Sequence, residues 1–208
     1  MYDRRVEEVT AFVLAGGKST RMGRDKAFVE LGGRTLLTRA QVLAQSVAER
    51  VVIVGCAEKF SRLGPVVEDV FLDRGPLGGI HAALSGTTSE WNLILAVDTP
   101  FLQADFLRWL LKQACESEAV VTVPRIAGRL QPLSGVYRRS FAEPAKRALE
   151  VDRNKIDPLF RAVTTRVIEE EEILGLGYSS EMFRNLNTME EVLSNQGRAP
   201  AGDPNREF

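Results

Sequence analysis

Four cations, Lys18, Arg21, Arg24 and Lys26, stand within nine residues in the run Leu14-Ala15-Gly16-Gly17-Lys18-Ser19-Thr20-Arg21-Met22-Gly23-Arg24-Asp25-Lys26. Glycines beside cations suit phosphate, because a residue without Cβ lets backbone N–H groups come close to phosphate oxygens. The preceding Val9 to Ala15 is rich in Val, Phe and Leu, stops at Gly16-Gly17, and reads as a buried strand. The loop therefore falls at the carboxyl edge of a sheet, where open α/β folds bind ligands. Two familiar phosphate loops are excluded. Gly17-Lys18-Ser19 supplies the end of a GxxxxGK[ST] loop, but Phe12 stands where its first glycine must be, and no GxGxxG occurs here. The competing reading is a basic surface loop without a ligand.

A second chemical position is Asp98. Leu93-Ile94-Leu95-Ala96-Val97 reads as a buried strand and ends in Asp98-Thr99-Pro100. A carboxylate there lies at the same sheet edge as the glycine loop, and Mg²⁺ prefers one or two carboxylates together with substrate phosphates and water. The alternative is an aspartate that only stabilises the turn before a proline. Further along, Gly75-Pro76-Leu77-Gly78-Gly79 marks tight turns where backbone groups can meet a flat base edge.

These residues need a scaffold, and the pattern supplies one. Strands are expected at Val9 to Ala15, Val51 to Val54, Val66-Val67, Leu93 to Val97 and Ala119 to Val123. Helices are expected over about Thr35 to Ala48, from Gly79 to Leu84 and over Ala104 to Cys115. Continuous apolar strands separated by helices imply a parallel sheet covered on both faces, hence an α/β three-layer sandwich. After Gly128 the pattern loosens. A strand within Pro132 to Tyr137, a helix over Phe141 to Leu149, a late edge strand at Thr165 to Ile168 and a short closing helix at Met189 to Leu193 complete it. One domain over 1–196 is expected, with a disordered tail over 197–208.

Composition bounds the partners. The 27 basic and 28 acidic residues nearly cancel, which gives no support to a nucleic-acid partner. The N-terminal residues are polar, and no apolar run reaches the roughly 20 residues of a membrane span. Cys56 and Cys115 form no CxxC pair and read as buried thiols of a reducing compartment, so a cytoplasmic protein is expected. A monomer is expected, and a weak self-association is equally compatible with the sequence. His81 is the only histidine and reads as a packing or capping residue. Glu169-Glu170-Glu171-Glu172 reads as a solvated face or loop, and Trp91 and Trp109 as core or near-core residues.

The run LAGGxSxRMGxDK resembles the signature loop of the MobA-like nucleotidyltransferases, and within them the molybdenum cofactor guanylyltransferases. The resemblance spans Val9 to Leu193 and implies a mostly parallel, Rossmann-like sheet of the nucleotide-diphospho-sugar transferase type. It implies that Leu14, Ala15, Gly16 and Gly17 wrap the NTP phosphates, with Lys26 and Arg21 offsetting their charge, and that Asp98 is the Mg²⁺ ligand. Glu68 to Ile80 is similar to the family's base pocket, which makes Asp69 a nucleotide contact and places Gly75, Pro76, Gly78 and Gly79 in its lining. The residues themselves also allow Asp69 and Asp73 to be solvated turn carboxylates.

Phe183-Arg184-Asn185-Leu186-Asn187-Thr188-Met189-Glu190-Glu191 resembles the family's FxNxNTPEE segment, which turns Asn185 and Asn187 toward the acceptor. Helix capping by Asn187 or Thr188 is the other reading. Arg129 and Gln131 sit in a further segment resembling the acceptor side. Two departures occur: Met189 replaces a proline, and Val54-Gly55-Cys56 lacks the asparagine some relatives place after the second strand. The implied reaction moves GMP from GTP to the terminal phosphate of molybdopterin with Mg²⁺, the Gly16 and Gly17 amides holding the leaving group. Transient contact with cofactor-delivering or molybdoenzyme proteins would accompany it. A CTP-using or other-acceptor transferase and an inactive nucleotide-binding regulator are the alternatives.

Overall fold

A computed structural model describes residues 9–16 and 25–196. Gly17, Lys18, Arg21, Arg24 and the expected tail at 197–208 lie outside the described residues. The elements of the first half are β1 (Val9–Leu14), β2 (Glu30–Leu31), β3 (Arg34–Thr35), α1 (Leu36–Gln45), β4 (Arg50–Val54), α2 (Ala57–Phe60), β5 (Val66–Val67), α3 (Pro76–Ser85), β6 (Trp91–Ala96) and α4 (Ala104–Glu116). The second half adds β7 (Val121–Ile126), β8 (Arg129–Leu130), β9 (Ser134–Arg138), α5 (Ala142–Glu150), α6 (Asp157–Phe160), β10 (Thr165–Ile168), α7 (Glu170–Gly175) and α8 (Met189–Ser194).

The main sheet has eight strands in the order β10-β7-β9-β6-β1-β4-β5, with β8 paired to β7. β1 runs parallel to β4 and β6, β4 to β5, and β10 to β7. β9 alone reverses within this order, antiparallel to both β6 and β7. The reversal makes the sheet mostly rather than wholly parallel, as the resemblance implied, and its cause is connection length. Residues 127–133 join β7 to β9, too short a path for the crossover of a dozen or more residues that a parallel neighbour requires. The chain turns back instead through a β7–β8 hairpin, with Ala127 and Gly128 at φ 47° and 73°.

Both faces of the central strands are buried, which explains their unbroken apolar runs. Ala11 and Val13 of β1 and Leu93 and Leu95 of β6 share one core with α1 and α4. Phe12, Leu14 and Ile94 face the other core with α3 and α5. Fully buried Phe106 of α4 meets Trp109, Tyr178 and Phe183 at ring-centroid distances of 6.0, 5.5 and 5.3 Å. That cluster docks the segment leading to Asn185 onto the sheet. Among the described residues, no helix is long and apolar enough to cross a membrane.

Two expectations need correction. Gly78-Gly79 is not a turn but the first turn of α3, which begins three residues earlier than its apolar periodicity suggested. Cys56 is exposed because it stands at the N-cap of α2, just past the end of β4, and Cys115 in the last turn of α4 is half-buried. Removing the ring of Phe106 leaves a cavity at the junction of helix, sheet and C-terminal segment. Phe106→Ala is expected to lower stability by about 3–5 kcal/mol, read as a fall in the urea midpoint.

Candidate functional site

Lys26 is set by local structure before it meets anything distant. It opens a 3-10 turn, Lys26–Phe28, capped by Asp25, whose Oδ1 accepts from the Ala27 N–H at 3.1 Å. Asp25 Oδ2 accepts from Lys59 of α2 at 3.0 Å, and Phe28 stacks on Phe60 at 5.7 Å. Thus fixed, Lys26 Nζ donates to Asp98 Oδ2 at 2.9 Å and to Asn187 Oδ1 at 3.1 Å. Both charged groups are largely covered, with side-chain exposures of 17% and 21%.

Asp98 sits in the turn after β6, as either reading required. Its carboxylate engages Lys26, whereas the turn is closed by the Thr99 hydroxyl donating to the Ala96 carbonyl at 3.1 Å. The Asp98 carbonyl accepts from the Leu186 N–H at 2.8 Å, which ties the C-terminal segment to the end of β6. Thr188 caps α8 in a full capping box with Glu191. Asn187 is therefore not the cap, and its side chain is spent on Lys26.

Beside this junction lies a cavity of about 230 Å³ lined by Pro76, Ala96, Asp98, Thr99, Leu130, Gln131, Pro132, Leu133, Ser134 and Asn185. Pro76, Asp98, Asn185 and Gln131 come together here, while Arg129 is exposed and outside the lining. Thr99, Leu130, Leu133 and Ser134 carried no sequence signal of their own. The β7–β8 hairpin brings Leu130 and Gln131 into the wall. That hairpin is held by α7, since the Ala127 N–H donates to Glu170 Oε2 at 2.7 Å and Arg125 pairs with Glu169 at 2.8 Å. The acidic run is thus an anchor rather than a solvated face alone.

A second group forms at the start of α3. Gly75 has φ 66° and ψ −157°, a backbone region essentially restricted to glycine. Asp69 is half-buried and accepts from the Phe71 N–H at 2.8 Å. A Cβ on Gly78 would collide with the Asp69 carboxylate, so Gly78 serves close packing here. Burial holds the Asp69 carboxyl above its usual range, against the lowering effects of the Phe71 N–H and His81. Asp69 is thus not a solvated turn carboxylate. His81 is buried edge-on to Phe71 at 5.1 Å and shares a hydrogen bond with Ser85. Desolvation lowers its imidazole pKa, with Asp69, Glu150 and Glu143 raising it and Lys146 lowering it further.

The glycine loop is described only at its start. Leu14 and Ala15 have buried side chains, so any ligand contact from them runs through the backbone. The Ala15 and Gly16 N–H groups both donate to the Val54 carbonyl, at 3.0 and 3.2 Å. The Gly16 amide thus donates within the fold, as the Ala15 amide does. The buried Leu14 side chain also packs against Gly79.

A family model, the MobA-like NTP transferase domain, matches residues 11–167 of this architecture. The chain belongs to the MobA-like NTP transferase family. Among its relatives, the probable molybdenum cofactor guanylyltransferase of Pelotomaculum thermopropionicum is 34% identical over 188 residues, covering 89% of this chain and 91% of that one. The molybdenum cofactor guanylyltransferase of Desulfosudis oleivorans is 33% identical over 201 residues, 95% and 98% of the two chains. The crystal structure of molybdopterin-guanine dinucleotide biosynthesis protein A from Archaeoglobus fulgidus superposes with a TM-score of 0.80 at 24% identity, over 90% and 97%. That likeness shows the nucleotidyltransferase fold, with the mostly parallel sheet expected for it.

In this MobA-like chain His81 offers a test of the α3 packing. Its folded pKa lies below the ordinary imidazole value of about 6.5, so the unfolded chain takes up the proton first. The stability that neutral His81 contributes is present above about pH 6.5 and is lost as pH falls through the folded value. Asp69, raised instead, gains stability as pH falls, but from the lower carboxylate range. The thermal midpoint of the native protein should therefore fall more steeply between pH 7.5 and 5.5 than that of His81→Gln, as followed by circular dichroism.

Proposed function

We propose that this chain transfers GMP from GTP to the terminal phosphate of molybdopterin, releasing pyrophosphate and forming the guanine dinucleotide cofactor. The observation that carries this reading is the junction of Lys26, Asp98 and Asn187, drawn from three distant segments to the edge of the sheet beside a cavity. The guanylyltransferase names of relatives that match over about nine-tenths of both chains supply the substrates. One domain over 1–196 would contain every residue named.

The donor set suits a hard divalent cation, which we take to be Mg²⁺. Asp98 offers a carboxylate against a cavity that also presents Thr99, Gln131, Ser134 and Asn185. Among the described residues no group of three or more His, Cys, Asp or Glu could form an all-protein cage. An ion there would be held by one carboxylate, substrate phosphates and water. Bound on Asp98, the cation would neutralise phosphate charge.

The acceptor is a phosphate monoester, largely dianionic near pH 7 because its second pKa is about 6. Its oxygen attacks the α-phosphorus of GTP in line, a new P–O bond forms, and the bond to the bridging oxygen breaks as pyrophosphate leaves. No strong base is required, so the residues act by position and charge. Lys26 and Arg21 offset the phosphate charge. Asp69 and the start of α3 around Gly75, Pro76 and Gly79 hold the nucleoside, with Gly78 giving Asp69 room. Asn185 and Gln131 orient the acceptor, and the loop that opens with Leu14, Ala15, Gly16 and Gly17 would wrap the phosphates.

Gly55-Cys56, in place of the asparagine of some relatives, keeps a CTP-using transferase as the second reading. Thermal-shift measurements with GTP, CTP, ATP and UTP, with and without Mg²⁺, separate the two. A selective, metal-strengthened shift with GTP is expected; a CTP-selective shift overturns the base assignment.

Two substitutions test the roles. Asp98→Asn keeps an oxygen acceptor for Lys26 and the backbone bond to Leu186, so the thermal midpoint should hold while pyrophosphate release nearly vanishes. Lys26→Ala should lower kcat/KM by about 10²–10³-fold, the typical effect of removing one preorganised donor.

A further inference from the structure

The capping box of α8 reaches one residue further than capping requires. A capping box needs the Glu side chain to accept from the N-cap N–H, and Glu191 Oε2 does so from Thr188 at 3.0 Å. The same oxygen also accepts from the Asn187 N–H, a group that serves no helix. The bond from the Asn187 N–H first, and that from the Thr188 N–H second, hold the Glu191 carboxyl below its usual range. Immediately before them, the Leu186 N–H is fixed on the Asp98 carbonyl at 2.8 Å. The backbone on both sides of the Asn187 side chain is therefore pinned, and that side chain accepts from Lys26 Nζ at 3.1 Å.

The far end of α8 is tied into the same circuit. The Asn195 side chain is buried, donates to the Glu191 carbonyl at 2.6 Å and accepts from Arg184, which precedes Asn185. Arg184 in turn lies over the Phe101 ring at 5.2 Å, in the stretch that follows Asp98.

We propose that Glu191 is a positioning residue: its carboxylate fixes the Asn187 backbone so that the Asn187 amide oxygen and the Asp98 carboxylate together hold the Lys26 ammonium in the site. The proposal rests on the transferase reading for its catalytic consequence, but not for the hold itself. Glu191 would touch neither substrate, and its effect travels through Asn187. The bonds it makes require an acceptor rather than a charge, which separates it from a phosphate- or metal-binding acid.

The test compares Glu191→Ala, Glu191→Gln, Thr188→Ala and Asn187→Ala by pyrophosphate release with GTP, Mg²⁺ and molybdopterin. Thermal midpoints are taken in parallel, and the acetylation rate of Lys26 by a water-soluble amine reagent is read by mass spectrometry. Glu191→Ala should lower kcat/KM about 10-fold or more, as small misplacements in an active site do, and speed Lys26 acetylation. Asn187→Ala, which leaves the capping box intact, should do the same. Glu191→Gln keeps the acceptor and should stay within about threefold of the native protein.

Thr188→Ala breaks the other half of the box and should lower the midpoint while leaving Lys26 reactivity and kcat/KM within that range. Equal losses in Glu191→Ala and Thr188→Ala would reduce Glu191 to a helix cap and overturn the proposal, as would unchanged Lys26 reactivity in Glu191→Ala. If the native protein releases no pyrophosphate, the transferase reading fails, and the acetylation comparison still decides whether Glu191 holds Lys26.

Discussion

An ammonium group has three donors and no acceptor, and the arrangement of this site follows from where those donors go. Lys26 Nζ binds Asp98, 72 residues away, and Asn187, 161 residues away. The end of β6 and the C-terminal segment thereby converge on the residue that closes the glycine loop. With both groups largely covered, truncating either side chain would leave the other without a hydrogen-bond partner in a partly desolvated place, where an unsatisfied group is costly. The junction therefore constrains its surroundings: the 3-10 turn beneath Lys26, the turn carrying Asp98 and the cap of α8 all hold it in register.

The sheet makes such convergence possible. Parallel strands end at the same edge, so β1 and β6, adjacent and in register from Val9 with Trp91 to Leu14 with Ala96, bring their carboxyl ends side by side. Their two-sided burial leaves little freedom for either strand to slip, since a shift of one residue would exchange the faces of Phe12 and Val13. The reversed β9 adds something a purely parallel sheet would lack. Its hairpin folds Leu130 and Gln131 back over the cavity, and α7 secures it through the Glu170 carboxylate on the Ala127 amide.

Glycine and carboxylate meet at α3 for a steric reason. Gly75 adopts a backbone geometry that a side chain would strain, and Gly78 leaves the space that the Asp69 carboxylate occupies. Asp69 thus sits close to the helix start at the cost of partial desolvation, which raises its pKa. The Gly78-Gly79 pair looked like a turn in sequence because glycine signals both turns and close packing, and only the neighbouring atoms tell the two apart.

Much of the fold was legible because its strands carry their burial in their composition. β1, β4, β6 and the edge strand β10 all fall within a few residues of their expected places. The placing of Lys26 and Asp98 was legible as well, since Asp98 follows a buried strand directly and Lys26 closes the loop that follows another, at the edge where such sheets bind ligands. Other features depended on contacts between segments far apart in the chain. Connection length reversed β9, the Val54 carbonyl claimed the Gly16 amide, and the β7–β8 hairpin gave the Glu169–Glu172 run a partner. Asn187 illustrates the division best. Its residue type allowed a helix cap and the family resemblance turned it toward the acceptor, but whether it would cap a helix or hold a lysine depended on distance in space. Local sequence encodes which bonds a side chain can make, and tertiary packing determines which partner lies within reach.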